Sequence, residues 1–593
     1  MRLLRHSWHF LTFPIGIAAL SLLALAGAPQ PAAAQYTDPV EDLRTILKNV
    51  NDPESQVFLE ARKKALEEAA EKLTATSDKR QALALLEWRD TDDVFKGLAA
   101  VDLAARQKIG QRLEEIIKTV VSKGDSTSKL AAASLLGEMG TSVRALDPLD
   151  KRGFARHLAP NLIQLSKSED AKVRQAAARA LAKVDPEPKA AVQALKDLLE
   201  SSQLADRQSA AQALGDVVAT IIDLQKKGRP GGESVITVYD VIICANEAVL
   251  AAGPCFDDKD LLVRRNGLQT ISYATTALND LVPLPEKPEL LPPPSGPYTD
   301  RQLKQLRELH MVLANEAKMF GPLEEALKGQ GQNIANMLDD PDVELRLWSR
   351  KALEQMAAAR NKIKRRQESV PPLPGDPPLS KTLPDPLKAG LEPGIMKIAK
   401  HTTDPDKKVR MASLQFLEAM EDAAVPAIDT IIAALKDSNK FIRWAAARTL
   451  GKIGPDYHAD KTVPALAALM NPQEDSDVRE VTASALRKFG AAAKPALPQL
   501  IKLLNIGEAE AQEAIIKAIT AIGGPETTPA IPALIKSLDS RNVNVRKLAA
   551  EALGRMGPLA VSAIPALTDH LQDEDATVRI AISDALLNIA RPR

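Results

Sequence analysis

The stretch VNVRKLAAEALGRMG, from Val543 to Gly557, sets the pattern of the C-terminal part of the chain. The stretch KFIRWAAARTLGKIG, from Lys440 to Gly454, repeats it with Arg at the fourth position, Leu-Gly at the eleventh and twelfth, and Gly at the end. Small and apolar residues recur every three or four positions, which is the period of an amphipathic helix. A motif that returns at a fixed spacing of about 34 residues predicts an array of stacked helical units.

The arginine of this motif serves as a ruler along the chain. It recurs at steps of 33, 36, 33, 34 and 33 residues, with glutamine in one slot: Arg410, Arg443, Arg479, Gln512, Arg546 and Arg579. In most copies an apolar residue followed by glycine stands about eleven residues later, at Ile453-Gly454, Phe489-Gly490, Ile522-Gly523 and Met556-Gly557. Glycine there is typical of a helix that ends in a left-handed residue.

A second helix is predicted before each of these. An apolar residue followed by proline marks its start, at prolines 426, 464, 498, 532 and 565. Proline is tolerated in the first turn of a helix because its missing N–H would have no partner there. Each unit therefore reads as a helix A that proline opens, a polar turn, and a helix B that glycine closes.

An aspartate precedes the arginine by six residues in five copies: Asp258, Asp340, Asp404, Asp437 and Asp573. A carboxylate in this turn is expected to cap helix B, whose N-terminus favours negative charge. Stacking would also bring these carboxylates beside the arginines of neighbouring units, which predicts a ladder of hydrogen-bonded pairs. We assign both residue types a structural role rather than a catalytic one.

These motifs resemble those of HEAT-repeat proteins, and in their short form those of phycobilisome-lyase-like HEAT proteins. The resemblance is strong over residues 394–593. Weaker copies come earlier, at Lys129…Gly140, Val173-Arg174…Leu181, Arg207…Leu214 and Val263-Arg264…Ile271. The family implies an all-α solenoid of stacked antiparallel helix pairs that binds other macromolecules, and it implies no single activity.

Charge and aromatic content argue against nucleic acid as a partner. The chain has 77 basic and 77 acidic residues, and 3% of its residues are aromatic. A neutral balance provides no basic surface for phosphates, and few rings are present for stacking on bases. A hydrophobic content of 45% with so few aromatics fits close helix packing rather than an all-β domain.

The first 34 residues have the features of a cleaved signal peptide. Arg2 and Arg5 give a positive start, an apolar run follows over 10–28, and the alanines at 32–34 form a small-residue cleavage site before Gln35. We therefore predict a periplasmic or secreted protein. An uncleaved N-terminal membrane anchor is the alternative, because the apolar run is almost long enough to span a bilayer. No later segment is predicted to span a membrane.

Cys244 and Cys255 are the only cysteines of the chain. An oxidising compartment permits a disulfide between them. Residues 241–252 read as a helix, however, and its part after Cys244 spans about 12 Å at 1.5 Å per residue, whereas a disulfide needs Cα atoms within about 7 Å. A disulfide closed by a sharply folded loop and a pair of structural thiols both stay open.

Two proline-rich stretches divide the chain into three helical blocks. The predicted leader (1–34) is followed by a first helical block (35–282) and a Pro-rich linker (283–299). A second helical block with one repeat (300–369), a second Pro-rich linker (370–393) and the C-terminal repeat block (394–593) come next. The proline run of the first linker cannot be helical and favours extended polyproline II. We interpret both as excursions within one solenoid, because repeat motifs stand on both sides; spacers between separate blocks are the alternative.

No pattern in the sequence predicts a catalytic residue, a metal or a cofactor. The histidines after the leader are not in an H-E-x-x-H or other metal spacing, and the His-Glu pair of iron-dependent hydroxylases with related repeats does not occur. G-x-S-x-G, P-loop and C-x-x-C motifs do not occur either. The basic cluster Lys362, Lys364, Arg365 and Arg366 is interpreted as a solvated helix end, with a docking patch for an acidic partner as the alternative.

Helix B offers the surface on which a partner would bind. Trp444 lies about 160–200° around its helix from the core positions, at 100° per residue, so it is predicted to face away from the core. Its slot in neighbouring units, together with the slot four residues later, gives the candidate partner-binding residues Met411, Gln415, Trp444, Arg448 and Glu480. Trp444 beside Met411 is the preferred anchor, because Trp and Arg are enriched in binding hot spots. Packing of Trp444 over the stem of a charged side chain is the alternative.

These observations predict an exported, non-enzymatic scaffold that holds a protein partner of unknown identity along its helix-B face. The alternative is an enzyme or enzyme subunit similar to the lyase-like branch, which the resemblance associates with bilin chromophores on a protein. Export and the lack of a second chemical motif favour the scaffold.

Overall fold

The structure is a computed structural model that describes residues 114–115, 117–141, 157–184, 188–227, 237–283, 298–506 and 509–590. The predicted leader, its cleavage site before Gln35 and most of the first Pro-rich linker lie outside these residues. The main helices of the described part are α1 (Ser126–Thr141), α2 (Ala159–Leu165), α3 (Ala171–Leu181), α4 (Pro188–Leu199), α5 (Leu204–Lys227), α6 (Val238–Ala251), α7 (Leu261–Leu281), α8 (Asp300–Gly329), α9 (Gly331–Met337), α10 (Val343–Glu368), α11 (Leu379–Thr382), α12 (Pro386–Lys400), α13 (Lys407–Ala419), α14 (Ile428–Ala434), α15 (Lys440–Ile453), α16 (Ala459–Leu469), α17 (Ser476–Phe489), α18 (Leu497–Leu504), α19 (Ala509–Ile522), α20 (Ile531–Ser537), α21 (Val543–Met556), α22 (Ile564–Asp569) and α23 (Ala576–Ala590).

The helices form two layers, as the repeat motif predicts. B helices stack side by side through the described chain, each on the next, in the order α1, α3, α5, α7, α10, α13, α15, α17, α19, α21 and α23. A helices such as α4, α6, α12 and α16 make up the second layer. The protein is an all-α solenoid of stacked helix pairs, which confirms the predicted fold class.

Glycine lets neighbouring B helices approach closely at the eighth position after the turn arginine. A Cβ added at Gly451 of α15 would lie 3.0 Å from the Cβ of Ala485 in α17. One added at Gly554 of α21 would lie 2.8 Å from the Cα of Ala585 in α23. The Leu-Gly pair of the motif is therefore a contact between units, because only the missing side chain leaves room for the next helix.

The glycines that follow the B helices adopt the positive φ that the sequence predicts. The φ angle is +88° at Gly454, +51° at Gly490, +57° at Gly523 and +56° at Gly557. In the unit of α13 this position is taken by Glu421, which adopts a φ of +50° although it is not glycine. A non-glycine residue in this region is uncommon and indicates that surrounding contacts hold it there.

The helix N-termini correct one prediction. The N-cap of α15 is Asn439, four residues before the arginine, and its side chain accepts a hydrogen bond from the amide of Phe441. Asp437, six residues before the arginine, accepts instead from the amide of Asn439 at 2.8 Å. The prediction that this aspartate caps helix B is wrong, because the turn brings the residue two positions later to the helix end.

The prolines open three of the five predicted A helices. Pro498, Pro532 and Pro565 stand in the first two positions of α18, α20 and α22. Pro464 instead lies inside α16, which begins earlier at Ala459, and Pro426 lies in the 3₁₀ turn before α14. The proline rule therefore holds for α18, α20 and α22 but not for α14, although a 3₁₀ turn precedes all four helices.

The hydrophobic core continues past both Pro-rich stretches. α7 packs on α10, although α8 and α9 stand between them in the sequence, and α8 packs on α6 and α12 in the other layer. Buried side chains from Val218 to Ile589 form one connected cluster. The division of the chain into blocks at 283–299 and 370–393 stays a prediction.

Cys244 in α6 and Cys255 in the following 3₁₀ turn are buried thiols and form no disulfide. Burial raises the pKa of the Cys255 thiol to about 12, since a low-polarity environment disfavours the thiolate. Contrary to the sequence-based expectation, the segment Val238–Asp257 is apolar and long enough to cross a membrane. In the solenoid, half of its most apolar window is buried among neighbouring helices.

Candidate partner-binding face on the helix-B layer

In most B helices an arginine fastens the helix to the turn before it. In the unit of α15, Arg443 Nη1 donates to the carbonyl oxygens of Asp437 at 2.8 Å and Ser438 at 3.1 Å. Equivalent pairs of bonds occur at Arg174, Arg207, Arg264, Arg346, Arg410, Arg546 and Arg579. Charged donors make stronger hydrogen bonds than neutral ones, so these arginines hold the turns in one conformation.

The same arginines join neighbouring units. Arg546 Nε and Nη2 donate to the two carboxylate oxygens of Asp573 in the next turn, at 2.8 and 2.9 Å, and this contact lowers the pKa of Asp573. Arg264 and Asp340 form an ion pair, with 3.3 Å between Nε and Oδ2, although this Nε makes no hydrogen bond. Hydrogen-bonded rungs join Arg174 to Asp206, Arg207 to Asp258, Arg410 to Asp437 and Arg443 to Glu474. The predicted ladder between units is confirmed at these junctions.

The ladder is interrupted around α19. Arg479 of α17 is buried and its Nε has no hydrogen-bond partner, while the following turn has Ile506 where other turns carry an acid. One unit further on, Gln512 replaces the arginine and Ser540 replaces the aspartate. Gln512 closes its own turn by donating to the Leu504 carbonyl oxygen at 3.0 Å. Among the described residues, no ionic rung therefore joins α17 to α19 or α19 to α21.

Trp444 is only partly exposed on the helix-B face. It is half-buried against the core, and the guanidinium of Arg448 lies 5.0 Å from its ring centroid. Arg448 is fixed in turn by Glu418 of α13, with 2.7 Å between Nε and Oε1. The prediction that Trp444 faces away from the core is wrong, because its half-buried indole packs against the core cluster. The observed contact with Arg448 matches the alternative of packing with a charged side chain.

The other candidate residues divide into two groups. Met411 is half-buried and packs on the core cluster. Gln415, Arg448 and Glu480 are exposed on α13, α15 and α17. The slots therefore lie on one face of three successive helices, and their role in binding stays a prediction.

The most exposed aromatic ring of this face was not among the predicted binding residues. Phe441 stands in the first turn of α15 and is 58% exposed, with Lys440 Nζ at 5.3 Å from its ring centroid. It precedes the first core position of the helix, so the periodicity of buried residues did not single it out. The signal that could have found it is a phenylalanine in a polar first turn.

Grooves run between neighbouring B helices on this face. One of about 300 Å³ lies between α17 and α19, and one of about 480 Å³ between α21 and α23. The slots one and five residues after the arginine contribute Glu480, Ser484, Glu513 and Lys517 to the first groove and Lys547, Glu551, Ile580 and Asp584 to the second. These slots, which differ from unit to unit, are thus the ones that line open space.

A buried charge cluster at the C-terminal end of α10 was not predicted. The Arg360 guanidinium donates to both carboxylate oxygens of Asp422 and also to Asp385. Lys364 Nζ lies 2.9 Å from Asp422 Oδ1. Burial alone would raise the pKa of Asp422, but the hydrogen bonds and positive charges of Arg360 and Lys364 outweigh it and hold this pKa below its usual range.

The basic cluster predicted at this helix end belongs to the same region. Lys362 donates to the Asn279 carbonyl oxygen of α7, Arg365 pairs with Glu421, and Arg366 pairs with Glu316 of α8 at 3.1 Å. The cluster is therefore neither a freely solvated helix end nor an open docking patch. Its charges tie α10 to the elements around it.

The histidines make ordinary contacts in the described part of the chain. His310 Nε2 lies 2.8 Å from the Pro371 carbonyl oxygen, and His570 Nε2 lies 3.0 Å from Asp539 Oδ1. Within the described residues, no three His, Cys, Asp or Glu side chains are grouped so that they could hold a metal ion.

Three segments of the chain match the HEAT-repeat family, at residues 151–215, 393–487 and 497–587. The described parts of these segments contain the paired helices, and all of their turn positions except Gln512 carry the arginine. No curated protein matches the chain.

Solved structures with repeated helices are similar over much of the chain. An engineered protein is 20% identical, with 81% of this chain and 99% of that chain covered and a TM-score of 0.34. A computationally designed armadillo repeat protein for modular peptide recognition is 18% identical over 33% of this chain and 99% of that one, with a TM-score of 0.29. The structure in which Kap95p binding induces the switch loops of RanGDP to adopt the GTP-bound conformation is 13% identical over 93% and 66%, with a TM-score of 0.34. No functional argument follows from likenesses at these scores.

Proposed function

We propose that this protein is a non-enzymatic scaffold that binds a protein partner along the helix-B face from α13 to α23. The observation that carries the proposal is a contrast between two kinds of position. The arginines, turn acids and glycines that join units recur in most units, whereas the residues in the groove-lining slots vary along the stack, although two successive units share a glutamate there, Glu480 and Glu513. A variable surface on a repeated frame suits the recognition of one particular partner.

The repeat type supports this proposal over an enzyme. Proteins built from HEAT repeats are typically interaction scaffolds, and three segments of this chain match that family. The most strongly perturbed charged pair, Arg360 with Asp422, is buried and internally satisfied rather than exposed in a groove. Perturbed groups of that kind stabilise a fold as readily as they mark a reactive site.

We further propose that the scaffold acts outside the cytoplasm, after cleavage before Gln35. The support is the order of positive start, apolar run and alanine triplet in the first 34 residues. Fractionation of the cells, with mass spectrometry of the N-terminal peptide, tests it. A chain in the exported fraction that begins at Gln35 is expected, whereas an intact leader in the membrane fraction would favour the anchored alternative.

The scaffold proposal is tested by affinity capture from the exported fraction with the chain from Gln35 onward. The informative variant is Phe441→Ser with Glu480→Lys, which alters exposed side chains without emptying the core. Tyr239→Ser, at an exposed residue of α6 in the other layer, is the matched control. A partner bound by the wild type and the control but lost in the variant is expected.

A second pair variant, Trp444→Ala with Met411→Ala, tests the anchor that the sequence predicts. Both side chains contact the core, so its unfolding curve must be measured beside its binding. A partner retained by every variant would move the site away from this face. A bound pigment with no protein partner would overturn the scaffold in favour of the lyase-like alternative.

A further inference from the structure

We propose that the part of the face from α15 to α19, formed by Phe441, Trp444, Glu480, Glu510 and Glu513, binds an extended polypeptide segment with a defined pattern. The segment carries an apolar side chain and, about four residues away, a lysine or arginine. This inference rests on the proposed scaffold function and names the chemistry of its partner.

The apolar end of this surface is on α15. Phe441 and Trp444 are three residues apart and therefore share one side of the helix. The ring of Phe441 is largely exposed, and the indole of Trp444 is held in place by Arg448 at 5.0 Å. A fixed indole beside an exposed phenyl ring offers a preorganised apolar contact, which costs a partner little ordering on this side.

The acidic end is the groove between α17 and α19. Glu480, Glu510 and Glu513 line it, and neither Glu480 nor Glu510 has an ion-pair partner in the described part of the chain. Glu513 has one, Lys517 at 3.5 Å on its own helix. The favourable charge of a helix N-terminus accounts for Glu510 in the first turn of α19. It does not account for Glu480 and Glu513, which lie beyond the first turns of α17 and α19.

Acidic and basic side chains lie at different ends of the groove, and their distribution determines which group a partner would present. Arg487 and Lys517 stand toward the C-terminal ends of α17 and α19, whereas the three glutamates stand toward the N-terminal ends. Phe441 also stands in the first turn of its helix. A chain that crosses the B helices at the level of Phe441 therefore meets the glutamates, which select a cation and repel an acidic segment.

The spacing between the two ends sets the length of the segment. Neighbouring packed helices are about 8–10 Å apart, so the α17–α19 groove lies roughly 12–15 Å from α15. An extended chain advances about 3.3 Å per residue. An apolar side chain over Phe441 and a cationic side chain in the groove are thus separated by about four residues, in an otherwise unrestricted sequence.

Selection from a random library of displayed dodecapeptides, with the chain from Gln35 onward as target, tests the pattern. Enriched peptides are expected to carry an aromatic or branched apolar residue and a lysine or arginine at the stated spacing. Enrichment of acidic peptides, of peptides without this spacing, or of none at all would overturn the proposal.

The selected peptide is then measured by fluorescence anisotropy against variants of the full chain. Glu480→Gln with Glu510→Gln is expected to weaken binding about tenfold and to flatten its dependence on salt concentration. Phe441→Ser is expected to weaken binding by a similar factor without changing the salt dependence. Asp569→Asn, at an exposed carboxylate of α22 in the other layer, is the matched control and is expected to leave the affinity unchanged.

The inference and the proposed function can fail separately. If crosslinks place the captured partner on α13–α23 but its bound segment lacks the cation, the scaffold stands and the inference is wrong. If the Phe441→Ser, Glu480→Lys variant and the Trp444→Ala, Met411→Ala variant both still capture the partner, the proposed face itself is wrong. If the glutamate variant binds the selected peptide as tightly as the wild type does, the acidic groove has no part in recognition.

Discussion

Arg360 and Asp422, 62 residues apart in the sequence, are joined by two hydrogen bonds of 2.8 and 2.9 Å in a buried space beside α10. Arg360 precedes the second Pro-rich stretch and Asp422 follows it. The same guanidinium also holds Asp385, the N-cap residue of α12, with 2.8 Å between Nε and Oδ2. One side chain therefore fixes both the point where the chain re-enters the helix stack and the turn that leads to α14.

Removing the acid of this pair is expected to destabilise the protein strongly. Asp422→Asn leaves the buried Arg360 charge without its main partner, which typically costs about 3–5 kcal/mol. The measurement is the free energy of unfolding from urea denaturation. Asp429→Asn is the control, since Asp429 pairs with Lys461 at the surface, and we expect less than about 1 kcal/mol there.

The Asp422 pair also gives a pH dependence with a definite sign. Because the folded-state pKa of Asp422 is lowered, its stabilisation is present above the unfolded-state pKa of about 4 and is lost as the pH falls. We expect the wild type to lose more stability than Asp422→Asn between pH 5 and pH 3. Equal losses in both proteins would show that the pair is not ionised as described.

Glu324 should act in the opposite direction. Burial first, and then the charges of Asp385 and Glu325, raise the pKa of this α8 carboxyl group to about 7. A raised folded-state pKa contributes stability that is present below the unfolded-state pKa of about 4.5 and is lost as the pH rises toward 7. The free energy of unfolding, measured by urea denaturation, is therefore expected to be higher for Glu324→Gln than for the wild type at pH 8, by roughly 2–3 kcal/mol. Near pH 4 the two proteins should have the same free energy of unfolding. Glu308→Gln, at an exposed site on α8, should show no such crossover.

Two glycine substitutions should change stability with opposite signs. Gly554→Ala places a Cβ 2.8 Å from the Ala585 backbone, and such overpacking typically costs about 1–3 kcal/mol. Gly329→Ala, at the last position of α8, meets nothing within 4 Å, so the gain in helix propensity remains, worth up to about 0.5–1 kcal/mol. The midpoint of thermal unfolding is expected to fall in the first variant and rise in the second. A rise in both would mean that α21 and α23 are not closely packed.

Restoring the missing rung should stabilise the C-terminal units. Ile506→Asp places a carboxylate in the slot that acids occupy in other turns, opposite the buried Arg479. Hydrogen bonds to a charged group contribute about 1.5–3 kcal/mol when well formed, and loss of the exposed Ile506 side chain costs little. Ile506→Asn is the control, because asparagine has the shape of aspartate without its charge, and it is expected to stabilise the protein less than Ile506→Asp does. A double variant that also carries Arg479→Met should lose the gain, as measured by urea unfolding.

Local repetition explains how much of the fold could be predicted. The arginine spacing, the closing glycines and the ladder all follow from contacts that each unit makes with the next. The capping error at Asp437 arose because two acidic or amide residues stand two positions apart, and only the turn geometry decides which one reaches the helix. The Arg360–Asp422 pair escaped because it links two regions that carry no repeated motif.

The exposure of the candidate binding residues was predicted less completely than the contacts between repeats. The slots of Gln415, Arg448 and Glu480 are exposed, but Trp444, which the helical period predicts to face away from the core, is half-buried against the core cluster. Phe441 precedes the first core position of α15, so the periodic pattern of core residues does not include it. The helical period tells on which side of a helix a residue lies, but in a solenoid the exposure of that residue also depends on how neighbouring units pack.

The ladder rungs have a consequence for the ionic conditions that this protein tolerates. Arg546 and Asp573 expose only 8% and 5% of their side chains, so dissolved ions have little access to the space between them. Ions in solution weaken exposed pairs such as Lys461 with Asp429 over a few ångströms of water, but act much less on charges that protein surrounds. The Arg546–Asp573 rung should therefore weaken less than exposed surface pairs do as the salt concentration rises.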